Sequence, residues 1–143
     1  MFSVLGRPVI GAAALCSLLM LPIGVACDDG ELAQSPVDLT VTVADWNGWD
    51  RNHEPTPQIH TLHGEVGQKL TVRLFSDDLT ISVTKVDGEE ITVRTSSDMA
   101  PDTGSGSDMV DLEDTYVITA GDPARFSTPT LDAGYHIEVR ITE

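Results

Sequence analysis

The chain has 143 residues, with 23 acidic against 8 basic side chains, and its formal charge of −15 repels phosphate backbones. Nucleic acid is therefore excluded as a partner. Hydrophobic residues at 41% suffice for a folded core of one domain, which excludes a wholly disordered chain, whereas aromatics at 5% leave few large rings for a binding surface.

At the N-terminus, Arg7 is the one positive charge ahead of an uncharged, apolar stretch from Val9 to Ala26. This composition reads as an export signal and not as part of the fold. Gly24-Val25-Ala26 then leads to Cys27, and the acidic run Asp28-Asp29-Gly30-Glu31 follows at once. Val25, Ala26 and Cys27 resemble the lipobox of bacterial lipoproteins, although Gly24 stands where that family usually has leucine.

The resemblance implies cleavage before Cys27 and a diacylglycerol on its sulfur. Cys16, the only other cysteine, lies inside the segment that would be removed, so the mature chain has no disulfide partner for Cys27. An exported chain with a lone thiol exposes a reactive group, and lipidation gives that thiol a use. Residues 1–26 are thus expected to be a signal peptide, 27–36 a lipid anchor and acidic tether, and the location the cell envelope. Two acyl chains meet the requirement for stable anchoring without a membrane span. Plain secretion, with cleavage after Ala26, is the alternative.

From Val37 onward the apolar residues alternate. Val37, Leu39, Val41 and Val43 form the first such run, and Leu70-Val72-Leu74, Leu79-Ile81-Val83, Ile91-Val93, Tyr116-Ile118 and Tyr135-Ile137-Val139-Ile141 follow. This two-residue period predicts half-buried strands. Weaker strands are expected near Ile59 and Phe126, while Asp87-Gly88 suits a tight hairpin and makes residues 68–95 a three-strand meander. The expected fold of residues 37–143 is all-β, an antiparallel β-sandwich of seven or eight strands.

The run Leu131-Asp132-Ala133-Gly134-Tyr135-His136-Ile137-Glu138-Val139 resembles the closing strand of immunoglobulin-like and cupredoxin-like domains. That likeness implies a Tyr135 ring in the core, with its hydroxyl on a neighbouring backbone.

Trp46 and Trp49 occur in the turn-like Asp45-Trp46-Asn47-Gly48-Trp49-Asp50. They are candidates for a contact surface toward a carbohydrate or an extracytoplasmic protein; packing over one end of the core is the competing role. His60 and His63 are candidate copper ligands, but side chains on a strand alternate, which places them on opposite faces.

From Asp98 to Asp114 the sequence holds carboxylates and no basic residue, and Met99-Ala100-Pro101 reads as the entry to an irregular loop. Asp102, Asp108, Asp111, Glu113 and Asp114 are the candidate calcium ligands, against a solvated acidic loop. Asp102-Thr103-Gly104 reproduces the short signature of aspartic proteases, which makes a small hydrolase a third-ranked reading. The preferred expectation is a lipid-anchored, non-catalytic binding module with no cofactor, and a metal-binding sandwich comes second.

Overall fold

The computed structural model describes residues 37–75 and 77–142; the expected signal segment, Cys27 and the tether lie outside the described residues. Every alternating run becomes a strand. In chain order these are β1 Asp38–Asn47, β2 Gln58–His63, β3 Lys69–Arg73, β4 Asp78–Asp87, β5 Glu90–Pro101, β6 Glu113–Ile118, β7 Ala124–Ser127 and β8 Ala133–Ile141. All pairings are antiparallel, along the path β2-β1-β8-β7-β5-β4-β3 with β6 on β5. The result is a nearly closed, barrel-like sheet whose two ends, β2 and β3, lie side by side.

β5 makes the closure possible. Its first half pairs with β4 and β6, whereas Ala100 and Pro101 pair with Ser127 and Phe126 of β7. Between Arg94 and Met99 the register with β6 shifts, and the Thr95 hydroxyl there donates toward the Ser97 and Asp114 carbonyls. Irregularities of this kind bend a strand. The sequence expectation for Met99-Ala100-Pro101 is corrected here: these residues close β5, and Met99 and Ala100 are buried.

The core gathers one face of each strand. Leu39, Val41 and Val43 meet Leu79, Ile81, Val83, Ile91, Val93, Ile137 and Val139, while Leu70 and Leu74 are half-buried against them. Phe126 of β7 stacks on Tyr116 of β6, with ring centroids 4.3 Å apart.

The expectation for Tyr135 is corrected: Tyr116 is the buried tyrosine whose hydroxyl bonds a neighbouring backbone. Its hydroxyl donates to the Glu113 carbonyl at 2.9 Å and lies 3.3 Å from that of Met99, tying the start of β6 to the corner of β5. Tyr135 is half-buried because it enters β8 at the open end of the barrel, where its ring meets Phe75.

Burial, reinforced by the nearby carboxylates of Glu113, Asp114 and Asp98, raises the Tyr116 pKa well above the usual tyrosine value. A raised phenol favours folding only while the unfolded chain also stays protonated, so this contribution is present below about pH 10 and is lost as pH rises past it. Tyr116→Phe is expected to cost about 1–2 kcal/mol at pH 7. It should also flatten the alkaline fall in stability above about pH 10, and urea titrations at pH 7 and pH 11 measure both effects.

Candidate functional site

Both termini of the folded domain are at one end of the barrel. Asp38 opens β1 there beside His63, and Leu39 pairs with Ile141 near the close of β8. Nine residues later β1 finishes at Asn47, opposite Ala133. At roughly 3.3 Å per residue this places the two ends of β1 about 30 Å apart.

At the far end three loops converge. The Gly48 N–H donates to the Asp132 carbonyl at 2.8 Å, joining the β1–β2 loop to the β7–β8 loop. From the β3–β4 turn, Phe75 reaches Tyr135 at a centroid distance of 4.7 Å. Each loop presents one exposed apolar side chain: Trp49 at 75%, Phe75 at 66% and Leu131 at 84% exposure. The two tryptophans divide their roles. Trp49 projects outward, whereas Trp46 lies in β1, half-buried, 5.9 Å from the His136 ring and pressed against Gly134.

The outer face of β1, β8 and β7 holds a second arrangement. Glu138 of β8 bridges two arginines, Oε2 to Arg125 Nε at 2.8 Å and Oε1 to Arg140 Nη2 at 2.5 Å. Two adjoining depressions of about 620 and 290 Å³ share Thr42, Arg125, Glu138 and Arg140 in their walls. Toward the far end, Ser127 Oγ lies 2.8 Å from both His136 Nδ1 and Ser107 Oγ. A serine so close to an imidazole resembles an activated nucleophile. Ser127 is only 1% exposed, however, and the Ser107 hydroxyl covers it, so the trio ties loop 102–107 to the sheet.

The sequence candidates for metal chemistry are dispersed. His60 and His63 lie on opposite faces of β2: His60 sits opposite Val41 with its Nε2 buried and unpartnered, and His63 Nδ1 is 2.7 Å from Asp38 Oδ1. His53 Nε2 is 2.8 Å from Asp45 Oδ2, an ion-pair distance that lacks the alignment of a hydrogen bond.

The acidic run is similarly divided among local tasks. Asp102 Oδ1 accepts the Gly104 N–H, closing a turn that the Thr103 N–H completes on the Gly106 carbonyl. Asp108 Oδ1 accepts the N–H groups of Val110 and Asp111, which holds its carboxyl below the usual range. Glu113 lends its carbonyl to Tyr116. Asp114 is lowered first by the Thr115 hydroxyl and next by Arg94, whose guanidinium reaches it through both Nε and Nη2. Among the described residues no group of three or more His, Cys, Asp or Glu is placed to hold a metal ion. Cys27 lies outside the described residues.

Sequence reasoning did not single out Arg125 of β7 with Glu138 and Arg140 of β8, nor Phe75 and Leu131. Each sits on the polar side of its strand or in a turn, and only the register of β7 on β8 brings Arg125 to the Glu138–Arg140 pair. A comparison of the chain with protein-family models, curated proteins and solved structures returns no match.

Proposed function

We propose that the chain is an exported, lipid-anchored, non-catalytic interaction module with an immunoglobulin-like sandwich as its folded part. The observation that carries this reading is the polarity of the domain. Cys27, in its lipobox-like setting, precedes Val37 by ten residues, and the chain enters the barrel at the Asp38 end. Trp49, Phe75 and Leu131 crown the opposite end. The apolar loop surface thus lies about 30 Å along β1 from the residue at which the chain enters the barrel.

Exposed apolar side chains drawn from several loops at one end of a rigid sheet are the usual setting of a contact surface. The sandwich form is supported by the sheet switch in β5 and by the Tyr116 hydroxyl bonded three residues upstream, a feature of immunoglobulin-type domains.

Fractionation of expressing bacterial cells tests the anchor. The native chain is expected in the membrane fraction, and Cys27→Ser should move the domain to the soluble fraction because both acyl chains depend on that sulfur. Equal membrane retention of the two forms would remove the lipid from the proposal.

A further inference from the structure

We propose that the outer-face trough of β1, β8 and β7 is a binding site for a neutral oligosaccharide. The inference extends the reading of the chain as a binding module to a second surface, apart from the loop end, and names a ligand class for it. It rests on the binding part of that reading and not on the lipid anchor.

The trough follows β8 from His136 to Thr142, about 20 Å at roughly 3.3 Å per residue, which is an extended slot suited to a linear chain. The β6–β7 turn, with Thr119, Gly121 and Pro123, raises one wall. That turn is fixed by reciprocal backbone hydrogen bonds between Thr119 and Asp122, so the wall is part of the folded frame.

Three features of the lining select the ligand. First, its charge is balanced: Arg125 and Arg140 are offset by Glu138 and Asp102, in a protein whose formal charge is −15. A polyanion would face the repulsion of the whole domain, and a polycation would meet two guanidiniums.

Second, the polar groups are held in place before any ligand arrives. Glu138 engages one nitrogen of each arginine, and the planar guanidiniums retain further N–H donors on either side of it. Thr40 of β1 and Thr142, the residue after β8, hold their hydroxyls 2.8 Å apart, and Thr42 adds another hydroxyl to the same floor. Alternating donors and acceptors fixed to rigid strands match the hydroxyls of a sugar, each of which both donates and accepts.

Third, the trough ends at rings. The His136 ring lines it, 5.9 Å from the Trp46 ring, and offers a flat face on which the C–H face of a terminal sugar can rest.

The test uses the full chain in detergent micelles, titrated calorimetrically with neutral glucose, mannose and N-acetylglucosamine oligomers of increasing length. Uronic-acid oligomers and an unstructured basic peptide serve as competing ligand classes. Binding is expected for at least one neutral series, with affinity that rises with length until the trough is filled. Arg140→Gln and Thr42→Val should each lower that affinity, the former by tenfold or more, while the melting temperature stays close to the parent's.

The proposal is overturned by no neutral series binding at millimolar concentration, by tighter binding of the acidic oligomers or the peptide, or by unchanged affinity in both variants. Failure here with the chain still retained on membranes would remove the sugar and leave the anchored module. Sugar binding by a chain that is not membrane-bound would do the reverse.

Discussion

Phe126→Ala is expected to destabilise the domain by about 3–5 kcal/mol. Phe126 is 1% exposed on β7, the short strand that joins β8 to the end of β5. Its ring is stacked on Tyr116, which in turn holds the corner of β5 through its hydroxyl. Truncation therefore leaves a cavity at the point where the barrel closes, and the surrounding strands can collapse into it only by giving up ladder bonds. The loss is a large part of the ordinary stability of a domain, about 5–15 kcal/mol. Chemical denaturation checks it against Val117→Ala, an outward-facing control on β6 that should change stability by less than about 0.5 kcal/mol. A Phe126→Ala cost near that of the control would contradict the placement of this ring.

The second large effect is expected from Gly64→Ala. A Cβ at Gly64 would collide with the Val37 carbonyl oxygen, and the Gly64 N–H donates to that same oxygen at 2.7 Å. The obstacle is backbone, so no side chain can rotate away. Ile91 Cδ1, only 3.2 Å from the added atom, blocks the other direction. Relief requires β2 and the start of β1 to separate, and the expected loss is about 2–3 kcal/mol, at the upper end for overpacking by one methyl group. At Gly67, whose φ is +93° with open space around it, alanine meets backbone strain but no collision. A smaller loss at Gly67 than at Gly64 in the same denaturation assay would separate the two causes; the reverse order would show that the Gly64 contact relaxes.

The strands were legible wherever one face meets water. Leu39, Val41 and Val43 alternate with Asp38, Thr40 and Thr42 because β1 is covered on one side only. The same logic failed at Met99 and Ala100, two consecutive buried residues, because β5 turns a corner there and both of its faces become covered. Tyr116 and Tyr135 have the same period in the sequence. What distinguishes them is depth along the barrel, which depends on strand lengths and stagger.

Long-range pairing was likewise invisible. Asp114 read as part of an unpaired acidic run, yet Arg94 meets it across β5 and β6. Arg125 is far from Glu138 and Arg140 in sequence, and only the register of β7 on β8 sets it beside that pair. Of the candidate contact residues, Trp49 is exposed and Trp46 half-buried, while Phe75 and Leu131 at the same end come from turns far away in sequence.

Mass spectrometry of the mature N-terminus tests the central claim most directly. For protein extracted from bacterial membranes, the proposed reading predicts an N-terminal peptide that begins at Cys27 and carries a diacylglycerol on the sulfur, with residues 1–26 absent. An unmodified N-terminus at Cys27 or Asp28, or a retained signal segment, would contradict it.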